Sequence, residues 1–166
     1  MISHYRVDMR VVHGQTTTIL KKSFPLNSMI VIDDEIAADP YMGKLYASTV
    51  PTSIKVIILN TERGLANLKK AEDSQLNYFV IMKTPVTMRR LIEAGYKFKS
   101  TVTIGQQFVR DDAPKYMPGL GSTKEEWAAI EYCHNNGVDL VFDPSCRFDN
   151  YSFETAKEAF DKANNN

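Results

Sequence analysis

A chain of 166 residues is long enough to form one domain with a hydrophobic core, and 43% apolar with 24% charged residues is typical of a soluble globular protein. The formal net charge is zero, so neither a basic nor an acidic excess indicates binding to nucleic acid or to a lipid surface. The longest uninterrupted apolar run, YFVIM, is much shorter than the roughly 20 residues that a membrane span requires.

The amino terminus and the cysteines exclude two further classes of protein. The opening MISHYR has neither a charged region nor an apolar region of the kind found in secretory signals. Cys133 and Cys146 are far apart and form no C-x-x-C pair, so we predict reduced thiols, with no disulfide framework and no zinc site. These features together favour a cytoplasmic protein. We expect no cofactor.

Short runs rich in Val, Ile, Leu and Phe recur along the chain and predict six strands: YRVDM, MIVID, IKVIIL, NYFVIM, KSTVTI and VDLVF. Several of these runs are almost continuously apolar, which is typical of parallel strands that are buried on both faces. Segments with helical patterns alternate with them: GQTTTILKKSF, DPYMGKLYAST, TERGLANLKKAE, TPVTMRRLIEAG, STKEEWAAIEYCHNNG and SFETAKEAFDKA.

Helix ends can also be predicted from local residue choices. Asp39 followed by Pro40 is expected to start the second helix, and the spacing of Ser122 and Glu125 indicates a capping box for the fifth. The alternation predicts an α/β fold, a doubly wound, mostly parallel six- to seven-stranded sheet with helices on both faces. We expect one domain over residues 1–163, followed by a frayed tail at residues 164–166.

The first strand-to-helix loop is the most polar segment near an apolar strand, in the stretch RVDMRVVHGQTTT. Ligands of doubly wound sheets bind outside the carboxyl ends of the strands, where this loop is expected to lie. His13 precedes Gly14, which lets the backbone approach a ligand closely. A helix that starts at about Gln15 would direct its unpaired N–H groups into the same space and create an anion site.

Other side chains of this stretch could complete such a site. Arg10 offers a planar guanidinium that suits phosphate oxygens, and Asp8 could accept a hydrogen bond that selects one tautomer of His13. The hydroxyls of Thr16, Thr17 and Thr18 would be spare donors. This set would allow a nucleophilic histidine to carry a phosphoryl group, whereas the competing interpretation is an ordinary surface or capping histidine.

The remaining polar features favour structural roles. His134 lies in the last turn of a predicted helix, where a cation interacts well with the helix dipole, and His4 has no evident partner. The carboxylates of DDEIAAD are expected to act as caps and solvated loop residues, with a metal site as the alternative. Trp127 and Tyr132 are expected to pack against the core.

RVDMRVVHGQ resembles the R-[IV]-D-x-R-[LVF]-[IV]-H-G-Q signature of the IIB components of the mannose, fructose and sorbose class of the sugar phosphotransferase system. Three later blocks resemble that family in the same order: VIDDEIAADPYMGKLYASTVPTSIKV, KTPVTMRRLIEAGYKFKSTVTIG and STKEEWAAIEYCHNNGVDLVFDPS. The resemblance covers roughly residues 5–145.

This resemblance implies a phosphocarrier that acts through His13. His13 would accept a phosphoryl group from a phosphohistidine of the IIA component, and a hexose-type sugar bound by the membrane components IIC and IID would be the final acceptor. Arg10 and Asp8 would act with His13 in catalysis. Phosphate binding is assigned to Arg6, Gly14, Gln15 and Thr16, with Arg6 and Asp8 also shaping the loop. The chain would be cytoplasmic and peripherally associated with its membrane partners.

The sequence also departs from the family pattern at the rim of the site. The helix TTTILKK lacks the tryptophan that many members carry, Met9 replaces an aspartate, and Thr103, Gln106 and Gln107 change the turn after the fifth strand. The sugar and the choice of partner therefore stay open, as does the oligomeric state, for which a homo-oligomer is one alternative.

Two rival functions remain at the level of sequence. The first is a divergent regulatory or phosphate-sensing module on the same fold. The second is a hydrolase or isomerase that uses Asp8 and His13 as acid and base, although no second catalytic carboxylate or oxyanion motif is identifiable.

Overall fold

A computed structural model describes residues 1–147 and 150–164, except for the side chains at positions 15, 16, 19 and 20. The first half of the chain forms these elements in order: β1 (Ile2–Val7), α1 (Gly14–Ser23), β2 (Ser28–Ile32), α2 (Asp34–Ala38), α3 (Met42–Ser48), β3 (Lys55–Leu59), α4 (Thr61–Glu72) and β4 (Tyr78–Met82). The second half continues with α5 (Pro85–Glu93), β5 (Val102–Ile104), β6 (Lys115–Met117), β7 (Leu120–Gly121), α6 (Lys124–Asn135), β8 (Leu140–Phe142), β9 (Tyr151–Ser152) and α7 (Phe153–Asn164).

The predicted α/β fold is confirmed by a seven-stranded sheet with the order β3-β2-β4-β1-β5-β8-β9. Neighbouring strands pair in parallel from β3 to β8, and only the short edge strand β9 is antiparallel to its neighbour β8. All six predicted strands form. The seventh strand, β9, and the small hairpin of β6 and β7 lie in segments whose short strands have too few residues to show a periodic pattern.

Two hydrophobic clusters cover the two faces of this sheet, as expected for a doubly wound fold. The larger contains side chains of α4, α5, α6 and α7, among them Leu68, Leu91, Trp127 and Phe160. The other contains Ile36 of α2 and the buried Val50 and Ile54, with Met42 and Tyr46 of α3 packed against it. Trp127 is therefore a core residue as predicted, and Tyr132 packs against the edge of the larger cluster.

The helix start predicted at Asp39 is wrong. The side chain of Asp33 accepts a hydrogen bond from the backbone N–H of Ile36 and begins a separate short helix, α2, which ends with Asp39 as its C-cap. The carboxylate of Asp39 accepts from the N–H of Tyr41 instead, and α3 starts at Met42 without a side-chain cap.

The predicted capping box of α6 lies one residue away from its actual position. Thr123 and Glu126 form it reciprocally, and the hydroxyl of Ser122 is buried. Gly95 and Gly137 end their helices with positive φ angles of 88° and 83°, as their sequence positions indicate. At the carboxyl end α7 extends through Asn164, one residue beyond the expected domain limit, and residues 165–166 lie outside the described residues.

Close packing of α4 on β2 depends on Gly64. A Cβ atom at this position would lie 3.0 Å from both Cδ1 and Cγ2 of the buried Ile32, whereas a Cβ at Gly43 in α3 would lie 4.0 Å from the nearest side-chain atom, on Ile58. We expect Gly64→Ala to lower the free energy of unfolding by about 1 kcal/mol despite the better helix propensity of alanine.

The matched control Gly43→Ala should leave stability unchanged or raise it by about 0.5–1 kcal/mol. Urea denaturation of both variants at equal m-values checks the difference. Equal midpoints for the two variants would show that the α4–β2 contact does not constrain the fold.

Candidate functional site

The loop between β1 and α1 lies at the carboxyl ends of the central strands and is held there by backbone hydrogen bonds. The N–H of Asp8 donates to the carbonyl oxygen of Met82 after β4, at 3.0 Å, and the N–H of Met9 donates to that of Gln106 after β5, at 3.0 Å. Strand β1 ends at Val7, earlier than predicted, because the chain turns at Asp8, whose carbonyl oxygen accepts from the N–H of Val11. The polar residues of this loop therefore lie at the expected edge of the sheet.

Asp8 is the centre of this loop, and its side chain is 0% exposed. One oxygen, Oδ2, accepts hydrogen bonds from Arg6 Nε at 3.0 Å and from Arg10 Nη2 at 3.1 Å. The other, Oδ1, accepts from the backbone N–H of Arg10 at 3.0 Å and from Arg10 Nε at 3.2 Å. A buried carboxylate is tolerated only when it is paired and hydrogen-bonded in this way.

The two arginines differ in exposure, which bears on the prediction that Arg6 binds phosphate. The Arg6 side chain is 1% exposed, and its Nη2 donates to the carbonyl oxygen of Asp143 at 2.9 Å. Gly105 covers the guanidinium so closely that a Cβ there would lie 2.5 Å from Nη2. Arg6 is buried beneath the loop, whereas the Arg10 side chain is 22% exposed and reaches the surface.

His13 stands at the end of the loop beside this ion-pair network. Its Nε2 lies 4.0 Å from Asp8 Oδ2, which is longer than a hydrogen bond, so the predicted contact between these side chains is present as proximity only. Burial of the imidazole lowers the pKa of His13, and the charge of Arg10 lowers it further against the opposing influence of Asp8. The imidazole is therefore neutral at neutral pH, the state in which a ring nitrogen can act as a nucleophile.

Helix α1 begins at Gly14, one residue earlier than expected, and its backbone includes the three positions predicted to bind phosphate, Gly14, Gln15 and Thr16. Gly14 is exposed, and a Cβ there would meet no atom within 4 Å, so the space before the helix is open. The side chains of Gln15 and Thr16 lie outside the described structure. Thr17 is not the spare donor that was predicted, because its buried hydroxyl donates to the carbonyl oxygen of His13 at 3.1 Å.

Two strained residues near the site could not be found from the sequence. Val11 has φ +58° and Cys146 has φ +56°, and both are buried. A left-handed conformation is unfavourable for residues with a Cβ, above all for β-branched valine, and such strain concentrates at functional sites. Cys146 belongs to the loop after β8, whose Pro144 carbonyl oxygen accepts a hydrogen bond from Arg10 Nη2 at 3.4 Å.

The other polar residues named from the sequence occupy structural positions. The His134 ring stacks on Phe153 with centroids 3.8 Å apart. In DDEIAAD, Asp33 caps α2 and Asp34 accepts from the backbone N–H of Thr61 and from Arg90, as the capping interpretation predicts. Within residues 1–147 and 150–164, no group of three or more His, Cys, Asp or Glu side chains is arranged to hold a metal ion.

The site therefore combines a neutral imidazole, a clamped arginine and a helix amino terminus at the carboxyl edge of a parallel sheet, a set of groups that suits an anion. Residues 2–152 match the family described as PTS system sorbose subfamily IIB component. The chain belongs to this family. None of the described helices is long and apolar enough to cross a membrane.

Curated relatives carry names from the same system. The chain is 26% identical over 136 residues to the N-acetylgalactosamine-specific phosphotransferase enzyme IIB component 1 of Escherichia coli K12, a match that covers 81% of this chain and 85% of the relative. It is 25% identical to the fructose-specific EIIB component of Bacillus subtilis, over 81% of this chain and 82% of the relative. The mannose-specific EIIAB component of Escherichia coli K12 is 22% identical, and the match spans 81% of this chain but only 42% of that longer protein.

Solved structures support the fold independently. The IIBSor domain of the sorbose permease from Klebsiella pneumoniae superposes with a TM-score of 0.85 over 95% of this chain and 96% of that domain, at 19% identity. A protein named manxB from Thermoanaerobacter tengcongensis gives a TM-score of 0.83 over 95% of each chain, at 24% identity. At these identities the likeness establishes the fold alone.

The lowered pKa of His13 can be measured directly by NMR titration of the imidazole resonances. We expect a midpoint below 6.5, the ordinary value, and a shift upwards in Arg10→Gln because the repulsive positive charge is removed while Asp8 stays. The resonances of His4, whose pKa is lowered by burial and by Arg6, serve as an internal control and should not move. A His13 midpoint that is unchanged or lowered in Arg10→Gln would contradict this electrostatic account.

His4 predicts a separate effect on acid stability. Its ring is stacked between Phe24 and Phe79, and burial together with Arg6 lowers its pKa to about 4 from 6.5. The unfolded chain therefore takes up the proton first, so stability should fall as the pH drops from about 6.5 to about 4, by up to about 3 kcal/mol from this residue. His4→Phe keeps an aromatic ring there and should flatten the profile of unfolding free energy over this range, as followed by urea denaturation. An equally steep profile in the variant would exclude His4 as the cause of the loss of stability at acid pH.

Proposed function

We propose that this chain is a phosphocarrier that accepts a phosphoryl group on His13 and passes it to a sugar bound by membrane components of a phosphotransferase system. The observation that carries the proposal is the neutral imidazole of His13, placed 4.0 Å from the buried carboxylate of Asp8 at the amino terminus of α1. Arg10, clamped on the same carboxylate, provides a fixed positive charge next to the acceptor. Membership of the IIB family supports this assignment over an acid–base hydrolase.

The geometry favours one ring nitrogen as the acceptor. Nε2 lies 4.0 Å from Asp8, so the negative carboxylate would favour a proton on Nε2 and leave the lone pair of Nδ1 as the nucleophile. This nitrogen corresponds to N(pi) of phosphohistidine. In the first transfer, the Nδ1 lone pair forms the new P–N bond while the P–N bond of the donor phosphohistidine breaks. The electron pair of the broken bond stays on the donor imidazole.

The phosphorylated imidazole is positively charged because Nε2 keeps its proton, and Asp8 is placed to stabilise that charge. Arg10 and the first N–H groups of α1 would stabilise the negative charge on the phosphoryl oxygens. In the second transfer, a sugar hydroxyl oxygen displaces Nδ1 from phosphorus, and the hydroxyl proton leaves to solvent. Both transfers would depend mainly on positioning and on fixed charges, as phosphoryl transfer generally does.

Partners and location follow from the same proposal. The donor would be the phosphohistidine of a IIA component, and the name of the mannose-specific EIIAB relative supports an association between IIA and IIB components. The acceptor would be a hexose-type sugar held by IIC and IID, with this chain in the cytoplasm and peripherally attached to them. The relatives are named for N-acetylgalactosamine, mannose, fructose and sorbose, so the family alone does not select the sugar.

Phosphorylation of His13 provides the test. After incubation with phosphoenolpyruvate and the upstream carriers, intact-protein mass spectrometry should show one added phosphoryl group that is labile in acid and stable in base. His13→Ala should abolish the mass increase, and Arg10→Gln should slow it by about 10- to 100-fold because a charged contact to the transferring group is lost.

His134→Ala is the matched control, because that imidazole stacks on Phe153 in a different part of the fold and should be dispensable. A wild-type chain that gains no phosphoryl group with active carriers would overturn the proposal. A chain that is phosphorylated but never releases the group to sugar in the presence of IIC and IID would instead fit the phosphate-sensing alternative.

A further inference from the structure

The positive charges next to His13 are already engaged before any phosphoryl group arrives. Arg6 and Arg10 both act on His13, and both are paired with the buried carboxylate of Asp8. A phosphoryl group brings about 1.5 to 2 further negative charges at neutral pH. The positive charge of a phosphorylated His13 ring offsets only part of this excess, so the proposed carrier state would gain from another cation.

Arg10 alone has few hydrogen-bond donors left for the oxygens of a phosphoryl group. Its Nε and Nη2 donate to the two oxygens of Asp8, and Nη2 also donates to the carbonyl oxygen of Pro144. Most of the directed donors of the guanidinium are thus turned towards the protein. A guanidinium binds phosphate best when two parallel N–H groups face the anion, an arrangement that these bonds prevent.

A second arginine shares an open cleft with Arg10. This cleft has a volume of about 540 Å³, and its lining includes Arg10, Gln106, Gly119, Ser145 and Arg147. Arg147 is exposed and is the other positively charged residue that lines the cleft, within the part of the chain that the structure describes. An anion in this cleft would meet both guanidinium groups, and Arg10 is also the arginine whose charge acts first on His13.

Hydrogen bonds to Asp143 and a strained turn at Cys146 fix the backbone at Arg147. The buried carboxylate of Asp143 accepts a hydrogen bond from Ser145 Oγ at 3.3 Å and one from the backbone N–H of Arg147 at 3.2 Å. Cys146, directly before Arg147, has a buried side chain and φ +56°. This strained turn is also tied to the site, because the Pro144 carbonyl oxygen within it accepts from Arg10. Local strain of this kind persists only where the surrounding contacts impose it.

We propose that Arg147 is a second phosphoryl-binding residue, which contacts the oxygens of the group transferred to His13 from the side of the cleft. This assignment rests on the proposed function, and it names a residue outside the first loop. Arg10 would keep a fixed positive charge beside the acceptor while it is hydrogen-bonded to Asp8, and Arg147 would supply a second guanidinium that contacts the phosphoryl oxygens.

Arg147→Gln tests the assignment by removing the charge and keeping a polar side chain of similar length. We expect the initial rate of phosphoryl uptake, measured by rapid quench with radiolabelled phosphate from the upstream carriers, to fall by about 10- to 100-fold. Arg147→Lys should recover part of the rate. Arg63→Gln, at an exposed position on α4, makes the same charge change elsewhere and should behave as the wild type.

Binding of inorganic phosphate to the unphosphorylated chain provides a readout that needs no donor. NMR titration should give a dissociation constant about tenfold weaker in Arg147→Gln than in the wild type or in Arg63→Gln, with thermal midpoints of unfolding unchanged. Normal uptake and normal phosphate affinity in Arg147→Gln would overturn the assignment while leaving the phosphocarrier function intact. Equal losses in both glutamine variants would also overturn it, because they would indicate general charge steering. Failure of the wild-type chain to be phosphorylated would instead count against the proposed function.

Discussion

The site depends on the ion pairs of the Asp8 carboxylate, which is completely buried and has one arginine on each side. Arg6 approaches this carboxylate from the interior and Arg10 approaches it from the surface. The Asp8 side chain therefore joins the sheet to the loop that carries His13. Removing Arg6 would leave the buried carboxylate of Asp8 without its inner partner in a region of low dielectric, which is strongly destabilising, whereas Arg10→Gln keeps the Arg6–Asp8 pair. The same carboxylate lies within 4.0 Å of His13 and so connects the stability of the fold to the state of the imidazole.

The parallel sheet provides the place where these charges meet. Because β4, β1 and β5 run in the same direction, the residues that follow them lie at one edge, and the backbone of the first loop bonds to both neighbours. The loop after β8 joins the same edge through Pro144 and Asp143. These contacts maintain the strained backbone conformations of Val11 and Cys146. Strained turns of this kind are more typical of a binding site, here one suited to an anion, than of ordinary loops.

Much of this arrangement could be predicted from local patterns, and the failures have physical causes. Strands of four or more apolar residues, and the proximity of Asp8, Arg10 and His13, could be inferred because the relevant residues are neighbours in sequence. The burial of Arg6 could not be inferred, because no local pattern indicates that its guanidinium lies under Gly105, about a hundred positions away. The positive φ of Val11 and the place of Arg147 beside Arg10 likewise follow from tertiary contacts.

Gly105 illustrates how such a contact limits the variation of the family. Its missing Cβ leaves the space in which the Arg6 guanidinium lies, since any larger residue would place a carbon 2.5 Å from Nη2. The residues at positions 6 and 105 are therefore expected to change together in evolution. A mutation at position 105 is tolerable only after position 6 has lost its long side chain, and that change in turn would leave Asp8 without its inner partner. Substitutions at positions 105, 6 and 8 would be needed together. These three buried positions are therefore expected to diverge far more slowly than the exposed residues around the loop.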